Sequence, residues 1–364
     1  MSTKKGEPQE LNPKNVLAYI NRSYARSKLG DKEGAINDYN HVIELNPKNT
    51  WAYCNRGYAH YDLGDKEGAI NDFNHVIELN PKNALAYFNR GYARYDLGDK
   101  EGAINDFNKA IQLNPKNAWA YCNRGYARAG LGDKKGAIND YNKAIQLDPK
   151  DASVYINRGY ARDGLSDKKG AINGYNKAIQ LDPKDASVYI NRGFTRAGLG
   201  DKKGAINDYN KAIELDPKDA CAYINRGDAR SDLGDKDGAI KDFNKAIELN
   251  PKNALAYIDR GNALSDLGDK EGAIKDFNQV IQLDPNPKNV WAYIGRGLVR
   301  SEQGDKEGAI KDFNQIIKLY PKNAWAYGYR SKVRKKLGAE KGSASDYNKY
   351  VDLLNQCSIE NNLF

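Results

Sequence analysis

The chain has 364 residues, 29% of them charged and only 40% hydrophobic, with a formal net charge of +9. One compact core of that length needs more apolar mass, so the composition points to repeated units that each bury a stripe against their neighbours. The N-terminus lacks the apolar stretch of a secretory signal, and no run approaches the roughly 18 apolar residues of a membrane span.

The four cysteines, Cys54, Cys122, Cys221 and Cys357, form no C-x-x-C pair and no Cys/His cluster at metal spacing. This argues against a disulfide scaffold, a zinc site or any metal cofactor, and free thiols fit a reducing, cytoplasmic setting.

The N-terminal residues 1–15 end in Glu10–Asn15, ELNPKN, which repeats the end of a later unit, so they read as the stub of a truncated repeat. Prolines then mark a period. Pro13, Pro47, Pro81 and their successors to Pro285 stand 34 residues apart; Asn286 and Pro287 interrupt, and Pro287 to Pro321 is again 34. A fixed period of this size is the signature of a repeat architecture. Numbering each unit 1–34 from Val16 gives ten units over residues 16–357, the ninth starting at Val290 after the 286–287 insertion, with 358–364 as a short tail.

Within each unit the punctuation predicts two helices. Position 34 is Asn or Asp, from Asn15 to Asn323, suited to cap the first helix. Position 15 is Gly in nine units and Ser166 in the fifth, at the left-handed residue that stops that helix. Position 16 is usually Asp, ready to cap the second helix, which Pro at position 32 ends. Position 4 is always Tyr and position 24 Tyr or Phe, while position 8 is mostly Gly and position 20 mostly Ala, small enough for close helix approach. The last unit departs with Ser331, Ser343 and Asn355, as expected of a terminal repeat facing water.

Gly at 8, Ala at 20, an aromatic at 24 and Pro at 32 on a 34-residue period resemble the tetratricopeptide family over about residues 16–357. Tyr in place of Trp at 4, Arg in place of Leu at 7 and mostly Arg in place of Tyr at 11 depart from the family pattern and imply a more polar seam. The resemblance implies an all-α, right-handed superhelical solenoid of helix-turn-helix repeats, with first helices lining a concave groove that binds protein partners.

At about 100° per residue, positions 2, 5, 6, 9, 12 and 13 share the expected exposed face of the first helix. Position 7 is Arg in all ten units (Arg22, Arg56, Arg90 onward) and falls on the packing side, where Asp at position 23 (Asp38, Asp72, Asp106) makes a structural Arg–Asp ladder the favoured reading over a phosphate-binding stripe. On the exposed face, position 6 carries Asn21, Asn55, Asn89, Asn123, Asn157, Asn191 and Asn225, then Asp259. An Asn side chain offers both an acceptor and donors to a peptide backbone, and the row resembles the asparagine ladder in the repeat region of O-linked N-acetylglucosamine transferases. The alternative is that these amides are solvated or bond to the next first helix. Aromatic rings flank the row: Tyr24, Tyr58, Tyr92, Tyr126, Tyr160 and Phe194 at position 9, Trp51, Trp119, Trp291 and Trp325 at position 2. They serve either as interface anchors or as packing between neighbouring first helices.

Units seven and eight replace amides and rings with Asp228, Asp232, Asp259 and Asp266. These carboxylates are solvated, hold calcium, or form an acidic pocket for Lys or Arg on a ligand. The family's heat-shock-chaperone clamp needs Lys at position 5 and Asn at position 9; here position 5 is Ile20, Cys54, Phe88 and Cys122, so chaperone-tail binding is not expected. No catalytic constellation appears, and His41 and His75 occupy a position filled later by lysines. The functional expectation is therefore a non-enzymatic scaffold for a protein or peptide ligand, with a basic segment at the acidic pocket. Single-stranded RNA is the rival, but lysines recur at positions 17 and 33, in the loops, while the exposed face carries more acids than bases, against the basic track such binders use. Self-association through the ends of the solenoid is the second rival.

Overall fold

The protein's structure is a computed structural model describing residues 15–283 and 289–361, with side chains as far as residue 356. The stub up to residue 14, the insertion at Asn286 and Pro287, the side chain of Cys357 and residues 362–364 lie outside the described residues. The chain divides after Pro183 into two units. The first holds five hairpins: α1 (Val16–Lys28) with α2 (Lys32–Leu45), α3 (Thr50–Asp62) with α4 (Lys66–Leu79), α5 (Ala84–Asp96) with α6 (Lys100–Leu113), α7 (Ala118–Gly130) with α8 (Lys134–Leu147), and α9 (Ala152–Asp163) with α10 (Lys168–Leu181). The second holds α11 (Ala186–Ala197) with α12 (Lys202–Leu215), α13 (Ala220–Asp232) with α14 (Lys236–Leu249), α15 (Ala254–Asp266) with α16 (Lys270–Leu283), α17 (Val290–Gln303) with α18 (Lys306–Leu319), and α19 (Ala324–Lys336) with α20 (Glu340–Asn361). Among the described residues there is no strand. The fold class is the all-α repeat of helix-turn-helix hairpins that the period implies.

The punctuation acts as expected. Asn49 accepts from the Ala52 amide at 3.0 Å and Asp65 from the Gly68 amide at 2.9 Å, so orphan N–H groups at both helix starts find oxygen. Asn289, directly after the insertion, makes no such side-chain bond. Position 15 is left-handed throughout, from Gly64 at φ 88° to Ser166 at φ 64°, the latter without glycine's freedom. The twentieth helix runs to Asn361 because Asn355 stands where other units have Pro, so the segment read as a tail is helical as far as that residue.

Packing inside a hairpin centres on position 24. Tyr39, Phe73, Phe107, Tyr141, Phe243, Phe277 and Phe313 are buried, each against an Ala at position 20 such as Ala35 or Ala103 that is fully enclosed. Glycine at position 8 makes room for the ring: a Cβ on Gly227 would lie 2.5 Å from Cε1 of Phe243. The last hairpin reverses the arrangement. Ser331 donates to the Ser343 carbonyl at 2.8 Å, and Tyr347 at position 24 is exposed instead of buried.

The arginines at position 7 hold the frame. Arg90 donates Nε and Nη2 to the two oxygens of Asp106 at 2.9 and 2.6 Å, and Nη1 to Asn74 Oδ1 of the preceding hairpin at 2.7 Å. The same three-way junction recurs at Arg226 with Asp242 and Asn210, and at Arg260 with Asp276 and Asn244. Position 11 adds a second arginine to the same carboxylate, as Arg94 does to Asp106 at 2.9 Å. The ladder is thus structural, each carboxylate buried but fully paired.

Two substitutions test this frame by urea denaturation followed by circular dichroism. Gly227→Ala is expected to destabilise by about 1–3 kcal/mol through overpacking on Phe243. Ser166→Gly is expected to stabilise by about 1 kcal/mol, since the left-handed conformation costs an L-residue roughly that much. A neutral Gly227→Ala would show that the ring yields freely.

Candidate functional site

The hairpin packing decides which first-helix positions face outward. Position 5, expected on the exposed face, is buried in three units, where Ile224, Ile258 and Ile294 are 6–7% exposed and pack in the core between hairpins, and half-buried in the others. The reason is that each first helix touches second helices on two sides, so its buried arc is wider than one stripe. Positions 2, 6, 9 and 13 remain on the outward face.

In the first unit this face is aromatic. Trp119 and Tyr160 are exposed, Tyr58, Tyr92 and Tyr126 less so. Tyr92 packs on Tyr61 at 5.5 Å and Tyr126 on Tyr95 at 5.3 Å between ring centroids, so position 9 of one hairpin rests on position 12 of the hairpin before. Trp51 meets Tyr39 edge-on at 5.8 Å. Tyr58, Tyr61, Phe88, Tyr92 and Trp119 wall a cavity of about 370 Å³ with Asn89 and Asn123 on its rim. A second cavity of about 380 Å³ follows between Trp119, Tyr126, Asn123 and Asn157. Tyr61, Tyr95 and Phe88 were not singled out from sequence. The signal was present, since tyrosine stands at position 12 only in units two and three.

The amides divide their bonds. Asn55 and Asn123 each donate Nδ2 to the carbonyl of Trp51 and Trp119 in their own helices at 2.8 Å, and Asn89 donates to the Tyr58 hydroxyl at 2.5 Å. The nearby Cys122 thiol has its pKa pushed up to about 11, chiefly by burial, with Asn157 acting the other way. Asn21 makes no side-chain hydrogen bond among the described residues. The donors of Asn55, Asn89 and Asn123 are thus partly spent inside the protein, while their Oδ1 acceptors remain.

In the second unit, Asn191 and Asn225 likewise make no side-chain bond among the described residues, and the acids behave in two ways. Lys202 pairs with Asp232, and Lys236 donates to Asp266 at 2.5 Å. The position 17 lysines, expected in loops, begin the second helices and reach across to position 13 of the next hairpin. The device recurs as Lys32 with Asp62 at 2.6 Å and Lys270 with Glu302 at 3.2 Å, and where position 13 is glycine, as Lys100 to the Gly130 carbonyl at 2.9 Å. Among the described residues Asp228 and Asp259 form no ion pair. Partial desolvation raises both pKa values. For the still exposed Asp228 the Asp232 charge adds to this, against the opposing Lys202 charge, and for Asp259 the Asp228 charge adds to it, so they rise to about 6 and about 7. Among the described residues no group of three or more His, Cys, Asp or Glu could hold a metal ion.

Paired capped helices, small residues at 8 and 20, and an outward face of rings, amides and acids define a helical-repeat interaction scaffold. The TPR repeat family matches residues 24–64, 57–98, 91–132, 167–200, 198–234 and 227–268, and tetratricopeptide repeat descriptions match 118–151, 254–287 and 291–323. The chain belongs to the tetratricopeptide-repeat family. No curated protein matches it. Among solved structures, a tetratricopeptide repeat protein from Parabacteroides merdae is 20% identical with a TM-score of 0.54, covering 69% of this chain and 98% of that one. Yeast Tom70 is 17% identical at 0.50, covering 93% and 92%. The pilF protein of Pseudomonas aeruginosa is 18% identical at 0.51, covering 60% and 97%. These likenesses share the fold. Among the described residues no helix is long and apolar enough to cross a membrane.

The raised carboxyls carry a signed prediction. Unfolded, Asp228 and Asp259 lose their protons near pH 3.8; folded, they keep them to about 6 and 7. The folded state therefore binds more protons in between, so the stability they contribute is full below about pH 4 and lost as pH rises through 6 to 7. A variant with both changed to Asn is expected to be more stable than the parent at pH 8, the gap closing toward pH 4. Urea midpoints across that range check it, and a gap independent of pH contradicts it.

Proposed function

We propose that this non-catalytic scaffold holds an extended peptide segment of a partner protein along the first helices of its first unit. The observation that carries the reading is the 370 Å³ cavity walled by Tyr58, Tyr61, Phe88, Tyr92 and Trp119. It is large enough for an aromatic or branched aliphatic side chain, and rigid rings give contact area at low entropy cost. Asn89 and Asn123 on the rim offer acceptors to a peptide backbone passing over it. Each such bond contributes only about 0.5–1.5 kcal/mol, so the rings supply the anchor and the amides set the path.

In the second unit the finer reading is a subsite for a Lys or Arg side chain at Asp228 and Asp259. Lysines already neutralise Asp232 and Asp266, which leaves the unpaired carboxylates to recognise a cation. Single-stranded nucleic acid fits poorly, because the position 17 lysines turn toward carboxylates and carbonyls of the next hairpin. A cytoplasmic, reducing setting is part of the same proposal, supported by the free thiols of Cys54, Cys122 and Cys221.

Peptides selected from a displayed random library on the full chain are expected to share one large apolar residue. Trp119→Ala and Tyr92→Ala should each weaken their binding at least about tenfold, and Asn89→Ala, Asn123→Ala and Asn157→Ala combined should weaken it further, with helix content unchanged. Full affinity in the Trp119→Ala variant contradicts the proposal. Basic peptides should bind the second unit more tightly from pH 5 to pH 8 as the carboxyls ionise, and less tightly with added salt.

A further inference from the structure

The fifth hairpin breaks the arginine frame. Where the other units carry Asp at position 23, this one carries Gly174. Its arginines nevertheless keep the pose they have elsewhere. Arg158 donates Nη1 to Asn142 Oδ1 at 2.8 Å, as Arg124 does to Asn108 at 2.7 Å. Its guanidinium lies 5.4 Å from the Tyr155 ring centroid, against 5.5 Å for Arg124 over Tyr121. Arg162 donates Nη1 to the Gly170 carbonyl at 3.4 Å, as Arg196 does to Gly204 at 3.4 Å. Both side chains are therefore positioned by bonds that do not involve the aspartate.

In the neighbouring hairpins this pose delivers two guanidinium groups to one carboxylate: Arg124 and Arg128 to Asp140, Arg196 and Arg192 to Asp208. In the fifth hairpin Arg158 Nε is buried with no hydrogen-bond partner among the described residues. The nearest acid does not substitute. Asp167 lies 3.8 Å from Arg162 Nε, the distance also found for Asp133 and Asp201 in hairpins that have their aspartate. Burial and the adjacent Arg162 charge lower the Arg158 pKa, the reverse of Arg22 and Arg260, whose aspartates raise theirs.

From this geometry we infer that Arg158, Arg162 and the glycine at 174 form a binding site for a small carboxylate anion of formate or acetate size, which takes the place of the missing side chain. A carboxylate matches the fork of Nε and Nη2 with two parallel charge-assisted bonds, which a spherical ion cannot do. A free small anion fits better than an acidic side chain of a partner, because the equivalent carboxylates Asp140 and Asp208 are only 3% exposed. The site lies inside one hairpin, so its occupancy stabilises the α9–α10 pair by mass action.

The test titrates the full chain with sodium acetate and with sodium formate at ionic strength held fixed by a bulky sulfonate. The Arg158 Nε–H resonance, assigned by its loss in Arg158→Lys, is expected to move saturably while those of Arg124 and Arg226 stay still. Arg162→Gln should weaken that titration about tenfold, since one charged hydrogen bond is removed. In thermal melts acetate should raise the parent midpoint by about 2 °C and leave Gly174→Asp unmoved, because that variant supplies its own carboxylate. A Cβ at 174 would sit 3.0 Å from the Tyr155 carbonyl, so Gly174→Asp needs a small local shift to fold; the resonance titration does not depend on it. An Arg158 resonance that ignores acetate, or moves no more than those of the other arginines, overturns the inference, as does an equal midpoint rise in the parent and a folded Gly174→Asp. A midpoint rise with sulfate or acidic peptides but not with acetate also overturns it.

Discussion

A single guanidinium joins three helices in the recurring unit. Arg90 closes its own hairpin through both oxygens of Asp106 and fastens that hairpin to the one before through Asn74. Charges in such a place cost free energy to desolvate, and only full pairing with good geometry offsets it. The planar fork of arginine meets this demand, whereas lysine would offer a point charge without direction. Because the junction sets the rotation of each first helix, it also sets which positions face outward. The aromatic cavity and the outward placement of Asp228 and Asp259 both depend on it.

A second constraint acts on the remaining charge. The chain carries a net +9, yet its position 17 lysines do not present a basic surface on this face. They begin the second helices and bend toward position 13 of the next hairpin, where they meet a carboxylate or, over glycine, a backbone carbonyl. The same lysine thus serves two kinds of neighbour. Acids at position 13 are thereby neutralised, while Asp228 at position 9 and Asp259 at position 6 are left as protonatable groups.

Within this frame the two units repeat the same hairpin and differ most in side-chain chemistry. Rings at positions 2, 9 and 12 wall the two cavities of the first unit. In the second unit position 9 passes from Phe194 to Asp228 and then Asn262, and position 12 holds Ala or Ser until Lys335 in the last hairpin. The fifth hairpin departs in yet another way, keeping its arginines while losing their aspartate. Variation among the internal hairpins falls mostly on side chains because the caps, the small residues and the left-handed turn leave the backbone little freedom.

The sequence by itself determined the period, the helix ends, the pairing of position 7 with position 23 and the burial of position 24, because each follows from local chemistry repeated ten times. Caps and turns are short-range, and a spacing of 16 residues between Arg90 and Asp106 is set by one hairpin. Tertiary structure decided the rest. A helical wheel counts one neighbour per helix, so it placed Ile224 and Ile258 outward, where two flanking second helices bury them. It also could not show that Lys202 and Lys236 reach 30 residues onward to Asp232 and Asp266, or that Tyr61 and Tyr95 carry the rings of the next hairpin. Those contacts join different hairpins, and their partners are fixed only when the helices pack.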